Sequence, residues 1–330
     1  MFLGRSLGLF LSMSVAVQAN NGEGYLSSIK KFFNQYLQVN SSPVNSSKEK
    51  IAGMTFPAQN KPKNDAIPQN SGDSQSKEKT VPQNPAAIIL PHIATYKISL
   101  DKGSVNDDID DANGFMTIKI FDTGDGWVFE QNSSLIIYSA SGEGEQVNTN
   151  VATWQDYAGN HYRFNSRTLR NGQEEDVIRG EAHKGAEKAP GKVIYHLPNY
   201  AEMDIPHETI FPLHHLINAV QKAMLGNSVV SNIVFDGSAE TQEAVAVNTV
   251  ITPAKESKLN IISDKPLPAD LNKVWSMKLG VYPLNSKSPD PDYEIKQDVL
   301  NHGIIKNMTL DYGTFQVIAT LDKIEFFTSN

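Results

Sequence analysis

From Ala86 onward the chain repeats one pattern: short runs in which apolar and polar residues alternate, cut by Gly, Asn, Asp and Pro. Tyr96, Ile98 and Leu100 alternate with Lys97 and Ser99, and many later runs follow suit. A strand turns successive side chains to opposite faces, so a period of two marks a strand with one face on a core. Such runs fall at His92 to Leu100, Gly114 to Phe121, Gly126 to Glu130, Ser134 to Ala140, Val147 to Gln155, His161 to Leu169, Glu175 to His183 and Lys192 to Leu197. They resume at Val229 to Phe235, Glu243 to Thr252, Val274 to Tyr282, Asp292 to Asp298, Ile304 to Asp311 and Thr314 to Phe327. Short turns join antiparallel neighbours, whereas parallel strands need long crossovers, so the pattern is a meander rather than a set of βαβ units. A sheet this wide must curl or close. The expected fold is all-β with one or two helices: a large curved antiparallel sheet, an open barrel-like spiral with a helix packed across it.

One segment breaks the alternation. Within Phe211 to Gly226, Leu213, Leu216, Ile217, Val220 and Met224 form an apolar stripe at helical spacing. Pro212 suits the first helical turn, where a missing N–H costs nothing, and Gly226 suits the left-handed residue that ends a helix. A single amphipathic helix among so many strands reads as a plug across the open side or end of the sheet. That arrangement leaves room for a lipid-sized cavity.

Upstream of Ala86 the texture is different. Arg5 precedes an apolar run from Leu7 to Val17, and Val17 and Ala19 are the small residues that signal peptidase requires. The run is well short of the roughly 20 residues that span a bilayer, so residues 1–19 read as a signal peptide cleaved after Ala19. Residues 20–39 hold a second amphipathic pattern, Tyr25 to Gln38, with Tyr25, Leu26, Ile29, Phe32, Phe33, Tyr36 and Leu37 on one face. Residues 40–85 are rich in Ser, Asn, Lys, Gln and Pro and poor in large apolar residues, the composition of a disordered linker, with Ile51 to Phe56 a candidate short strand. Residues 86–330 form the β domain. No other segment approaches transmembrane length, so no transmembrane anchor is expected.

The chain has no cysteine, which excludes a disulfide framework, a lipidated N-terminal cysteine, a thiolate metal site and a cysteine nucleophile. Its net charge is −8 and is unevenly spread. Eight lysines against five acids leave residues 20–85 at +3, so the remainder from Ala86 carries −12. An acidic body lacks the cations that neutralise phosphates, so nucleic acid is not an expected partner.

Sites of chemistry are sparse. His207, His214 and His215 gather at the helix start without the His-Glu-x-x-His spacing of a zincin. Adjacent residues on a helix diverge by about 100°, so His214 and His215 read as one solvated and one packing histidine rather than a metal pair. Asp107, Asp108, Asp110 and Asp111 lack the glycine and closing glutamate of a calcium loop and read as a solvated hairpin. Ser238 has no nucleophile-elbow motif, and Gly142-Glu143-Gly144 is a turn. No metal and no cofactor is expected. The carboxylates Asp236 and Asp311 permit a hydrolase acting on envelope polymers as one alternative, though their separation is invisible in sequence, and a pure protein-interaction module docking through the Tyr25 to Gln38 helix is the other. Trp127, Trp154, Phe164 and Phe211, with Leu216 and Val220, are the candidate lining of an apolar ligand site, and core packing explains the same residues.

Several short motifs recur in a definite order: Asp125-Gly126-Trp127, Trp154 to Phe164, Phe211-Pro212 with His215, and Phe235-Asp236-Gly237. Tyr293-Glu294, Asn301 to Gly303, and Asp311-Tyr312-Gly313-Thr314-Phe315 complete the series. From about Pro91 to Phe327 this resembles the EipB-like cell-envelope-integrity family of periplasmic proteins. The resemblance implies a partly open, spiral-like barrel, a periplasmic location, a non-enzymatic role in envelope integrity and a periplasmic tetratricopeptide-repeat protein as partner. It supplies no catalytic residues. With the plug helix, it makes a lipid or acyl chain the expected small ligand. Family members usually carry a cysteine beside the Asp-Gly-aromatic turn, paired with another near the C-terminus. Here Gly124 stands at the first position and no cysteine follows. The Tyr25 to Gln38 pattern also resembles the opening helix of the lipoprotein-carrier family.

Overall fold

Alternation becomes a sheet between β1 (His92–Leu100) and β2 (Ile109–Asp122), which pair antiparallel from His92↔Ile120 to Ser99↔Asn113. Ala94, Tyr96 and Ile98 are buried on one face with Ile118 and Met116, while Lys97 and Ser99 point to solvent. This is a computed structural model, and it describes residues 88–103, 109–238, 243–255, 259, 261–262, 268, 271–311 and 315–326. The expected signal peptide, the Tyr25 to Gln38 helix, the linker, Asp107, Asp108, Tyr312 and Gly313 lie outside these residues.

The meander continues through β3 (Gly126–Ser139), β4 (Gly144–Asp156), β5 (His161–Arg170), β6 (Gln173–His183), β7 (Gly191–Leu197) and β8 (Ala201–Ile205). Helix α1 (Pro212–Met224) interrupts it. The second half comprises β9 (Val229–Val234), β10 (Val245–Ala254), β11 (Ile261–Ile262), β12 (Val274–Pro283), β13 (Tyr293–Leu300), β14 (Ile305–Asp311) and β15 (Gln316–Phe326). All fifteen strands share one sheet. Its order is β8-β7-β6-β5-β4-β3-β2-β1-β15-β14-β13-β12-β10-β9, with the two-residue β11 added parallel to β15. The expected fold class therefore holds: a mostly antiparallel sheet, open rather than closed, with one α-helix among the described residues.

Three details differ from the sequence reading. Residues 126–139 form one strand of 14 residues, not two separated by a break at Gln131 to Ser133. Ser133 is paired on both sides, to Met116 of β2 and Thr149 of β4, and two continuous ladders outweigh the local turn preference of Asn and Ser. β8 has acids at Glu202 and Asp204 and pairs only with β7, so as an edge strand it needs little apolar sequence. β11 is too short to leave a period.

The sheet's ends, β8 and β9, are not paired with each other. Between them Ile210 forms an isolated bridge to the β9 edge, where its N–H donates to the Ile233 carbonyl at 2.8 Å and its carbonyl accepts from Phe235 N at 3.1 Å. Two apolar clusters follow from this layout. The larger joins the inner faces of β1, β2, β10 and β12 to β15 with α1, and the smaller joins β5 to β8 with Phe211, Phe235 and Ala244.

Candidate functional site

Helix α1 starts where Pro212 fixes the first turn and stops where Gly226 takes φ +86°, as its sequence predicts. Its stripe buries Leu213, Leu216, Ile217 and Val220 against the sheet. Polar bonds fix its seat. Leu213 N donates to Gln155 Oε1 at 3.1 Å, Gln155 Nε2 donates to His214 Nδ1, and His214 Nε2 donates to the Tyr157 carbonyl at 3.1 Å. One residue on, His215 Nδ1 donates to Asn232 Oδ1 at 3.0 Å and its Nε2 accepts from Thr249 Oγ1 at 3.1 Å. Gln155 belongs to β4, Asn232 to β9 and Thr249 to β10. β4 and β10 stand eight places apart along the sheet, so one helix can reach both only because the sheet curls around it.

His215 is buried and His214 half-buried, so the histidine expected to be solvated is only partly so. Burial lowers the His215 pKa to about 4 despite the Asn232 bond, and burial also lowers that of His214 against the Tyr157 carbonyl. Gly159 makes room here, because a Cβ on it would press on the His214 ring at 2.9 Å.

The gap between β8 and β9 is filled by aromatic side chains. Phe211 stacks on Tyr162 at 4.9 Å and 16°, and Tyr162 stacks on Phe164 at 5.7 Å. Phe235, just past β9, meets Phe164 and Tyr195 edge-on at 5.7 and 6.5 Å. Two glycines make the Phe164 position possible: a Cβ at Gly180 or at Gly237 would come within 2.5 Å of its ring. This gives the Phe235-Asp236-Gly237 motif a physical role.

Asp236-Gly237 is not a two-residue hairpin turn, because Val234 pairs with Val245 and leaves a connection of ten residues. Asp236 Oδ1 accepts from Ser238 N at 2.9 Å and the Asp236 carbonyl accepts from Tyr162 Oη at 3.0 Å. The residue is partly buried, but Oδ2 is sealed from solvent and has no partner among the described residues. Burial therefore pushes its pKa up to about 6, opposed by the Ser238 bonds. The same carboxyl, together with burial, raises both Tyr162 and Tyr195.

The candidate lining residues are not all brought together. Trp127, Leu216 and Val220 lie in the larger cluster, and Phe164 and Phe211 in the smaller. Trp154 is on the other face: it pairs across strands with Val128 and Arg163, whereas Trp127 pairs with Gln155, and neighbours along a strand point oppositely. The Arg163 guanidinium lies 5.3 Å from the Trp154 ring, and Trp154 Nε1 donates to Thr123 Oγ1 at 3.3 Å.

The remaining motif residues are structural. Asp125 accepts from Thr123 Oγ1 at 2.7 Å in the β2–β3 turn, and a Cβ on Gly126 would overlap the Gln155 carbonyl. Gly124 in that turn has φ +88°. Tyr293 opens β13, and Glu294 pairs with Lys278 at 2.7 Å. Gly303 has φ +75° and gives space to Ile89, Phe315 is buried, and Asp311 accepts from Gln316 Nε2 at 2.8 Å. Asp236 follows β9 and Asp311 ends β14. Among the described residues no three His, Asp or Glu side chains converge as metal ligands. Sequence reasoning missed Gln155, Asn232, Thr249 and Tyr195, because a lone polar residue in a strand carries no signal until its cross-strand neighbours are known.

A wide antiparallel sheet, curled round one helix and joined at its ends by side chains rather than a ladder, defines an open, barrel-like β-protein. Residues 83–328 match the EipB-like family model, and the chain belongs to that family. It is 24% identical over 252 residues to the cell envelope integrity protein EipB of Brucella abortus (strain 2308), covering 73% of this chain and 86% of that relative. The crystal structure of a beta-barrel-like protein of the domain of unknown function DUF1849, from Brucella abortus, aligns with a TM-score of 0.62 and 21% identity. The alignment covers 73% of this chain and 99% of the other; identity this low establishes the shared fold alone.

Proposed function

We propose that this is an exported, non-enzymatic periplasmic protein that supports cell-envelope integrity by holding an apolar ligand, a lipid or acyl chain, against the concave face of its sheet. One observation carries the reading: the sheet ends at β8 and β9 meet through aromatic side chains and a single bridging residue, so an apolar interior has a seam that no hydrogen-bond ladder locks. Side-chain contacts of this kind can part and re-form at far lower cost than a paired ladder. The helix seated inside supplies the apolar counter-surface through Leu216 and Val220.

The experiment is native mass spectrometry of the protein purified from a periplasmic extract, followed by uptake of a fluorescent fatty acid. A bound lipid, or saturable uptake, is expected. A protein that is always empty and takes up no chain overturns the reading. Capture of a periplasmic tetratricopeptide-repeat partner belongs to the same proposal, and it is tested by deleting residues 20–85. An intact fold with partner capture lost assigns that segment to docking.

A further inference from the structure

Several polar side chains lie on the concave face. Gln155, Asn232 and Thr249 are engaged by α1. Ser133 of β3 and Thr149 of β4 are not. They are direct cross-strand partners, 3% and 0% exposed, and neither hydroxyl has a hydrogen-bond partner among the described residues. Their face is settled by register: Ser133 pairs with Met116, and Met116 with Tyr96, both members of the larger core. Along β3 and β4 this face continues with the apolar Leu135, Val147 and Val151 and with one buried amide, Gln131. Thr168 of β5, paired with Thr149, extends the polar row by one strand.

A buried hydroxyl without a partner is destabilising, and valine at Thr149 or alanine at Ser133 would fit the same space without that penalty. Two such hydroxyls side by side, with Gln131 and Thr168 next to them, point to something that bonds them. Charge narrows what it is. Among the described residues no Lys or Arg is buried. The nearest cation in this register, Arg170, is bound to Glu145 and Glu175 at 2.9 Å each, and Asp176 stands beyond Thr168. An anionic head would be desolvated here with nothing to compensate it.

We infer that the concave face takes an amphiphile with an uncharged, hydroxyl- or amide-bearing head, which bonds Ser133 Oγ and Thr149 Oγ1 while its chain lies on the apolar wall. This rests on the ligand-holding function proposed above and specifies the ligand's head. The row exchanges its missing bonds for ones to the head, and selectivity comes from the absence of a cation.

The test is calorimetric titration of the full chain with 1-monooleoylglycerol and with oleate, each below its aggregation threshold. The neutral amphiphile should bind at least about tenfold more tightly. In Ser133→Ala/Thr149→Val that advantage should shrink about tenfold through weaker monooleoylglycerol binding, with oleate unchanged and a melting temperature no lower than that of the parent. Ser133→Ala gives a smaller shift in the same direction and serves if the double variant does not fold. Equal affinities in the parent, or a preference untouched by these substitutions, overturn the inference while leaving the ligand-holding function standing. Binding of neither amphiphile overturns both.

Discussion

His214 and His215 are consecutive on α1 yet are held as opposite tautomers by strands on two sides of the helix. The Tyr157 carbonyl requires the proton on His214 Nε2, and the Asn232 carbonyl requires it on His215 Nδ1. About 100° of rotation between neighbours is what lets one dipeptide grip β4 and the β9–β10 pair together. The helix is thereby a cross-brace of the sheet as well as a plug.

Acid should loosen this brace. His215 and His92 are both buried and held at about 4, and the His92 Nδ1 lies 2.7 Å from the Leu90 carbonyl. Unfolded, each titrates near the reference value of about 6.5, so between these values the unfolded chain binds more protons. Stability present above about pH 6.5 is lost progressively as pH falls toward 4. Urea unfolding at stepped pH should show this slope. His215→Gln should reduce the slope and cost about 1–3 kcal/mol at pH 7 through the unpaired Asn232 or Thr249.

Asp236 has the opposite sign. Its folded pKa of about 6 lies above the unfolded value, so the stability it contributes is present below about pH 4 and is lost as pH rises through 6. At pH 7 the partly buried carboxylate is a cost. Asp236→Asn, which keeps an acceptor for Ser238 N, should stabilise the protein by about 1–3 kcal/mol at pH 7 and by little at pH 4. Equal unfolding midpoints of variant and parent at pH 7 would count against a sealed Oδ2.

Gly237→Ala should be among the more damaging small substitutions. Its φ of +78° disfavours any Cβ, and the new methyl would press on the Phe164 ring. A loss of about 2–4 kcal/mol is expected. If the ring contact is responsible, the loss in a Phe164→Leu background should be smaller, leaving mainly the backbone term of about 1–2 kcal/mol.

Trp154→Ala should leave fatty-acid uptake unchanged, because the ring lies on the convex face under Arg163. Trp127→Leu should change it. Parallel dye titrations of the two variants decide whether the face assignment is right.

The second half of the molecule was legible strand by strand, because alternation, turn residues and the Pro212 to Gly226 punctuation are local signals. The Gln131 to Ser133 stretch misled for the converse reason: its polar, turn-like chemistry is local, whereas the ladders to Met116 and Thr149 that override it are not. The candidate lining suffered likewise. Trp127 and Trp154 look equivalent as sequence, and only register separates them onto opposite faces.

The sequence by itself determined an antiparallel meander wide enough to curl, one helix punctuated by Pro212 and Gly226 to cross it, and the absence of any disulfide to staple it. These follow from period, punctuation and composition, which each residue carries wherever the chain goes. Tertiary structure alone decided which strands end the sheet, that Phe164 lies between Gly180 and Gly237, and that His214 and His215 brace two sides. It also decided that Ser133 meets Thr149 on the concave face. Each of these depends on contacts between residues distant in the chain, and such contacts exist only after the sheet has closed around its helix.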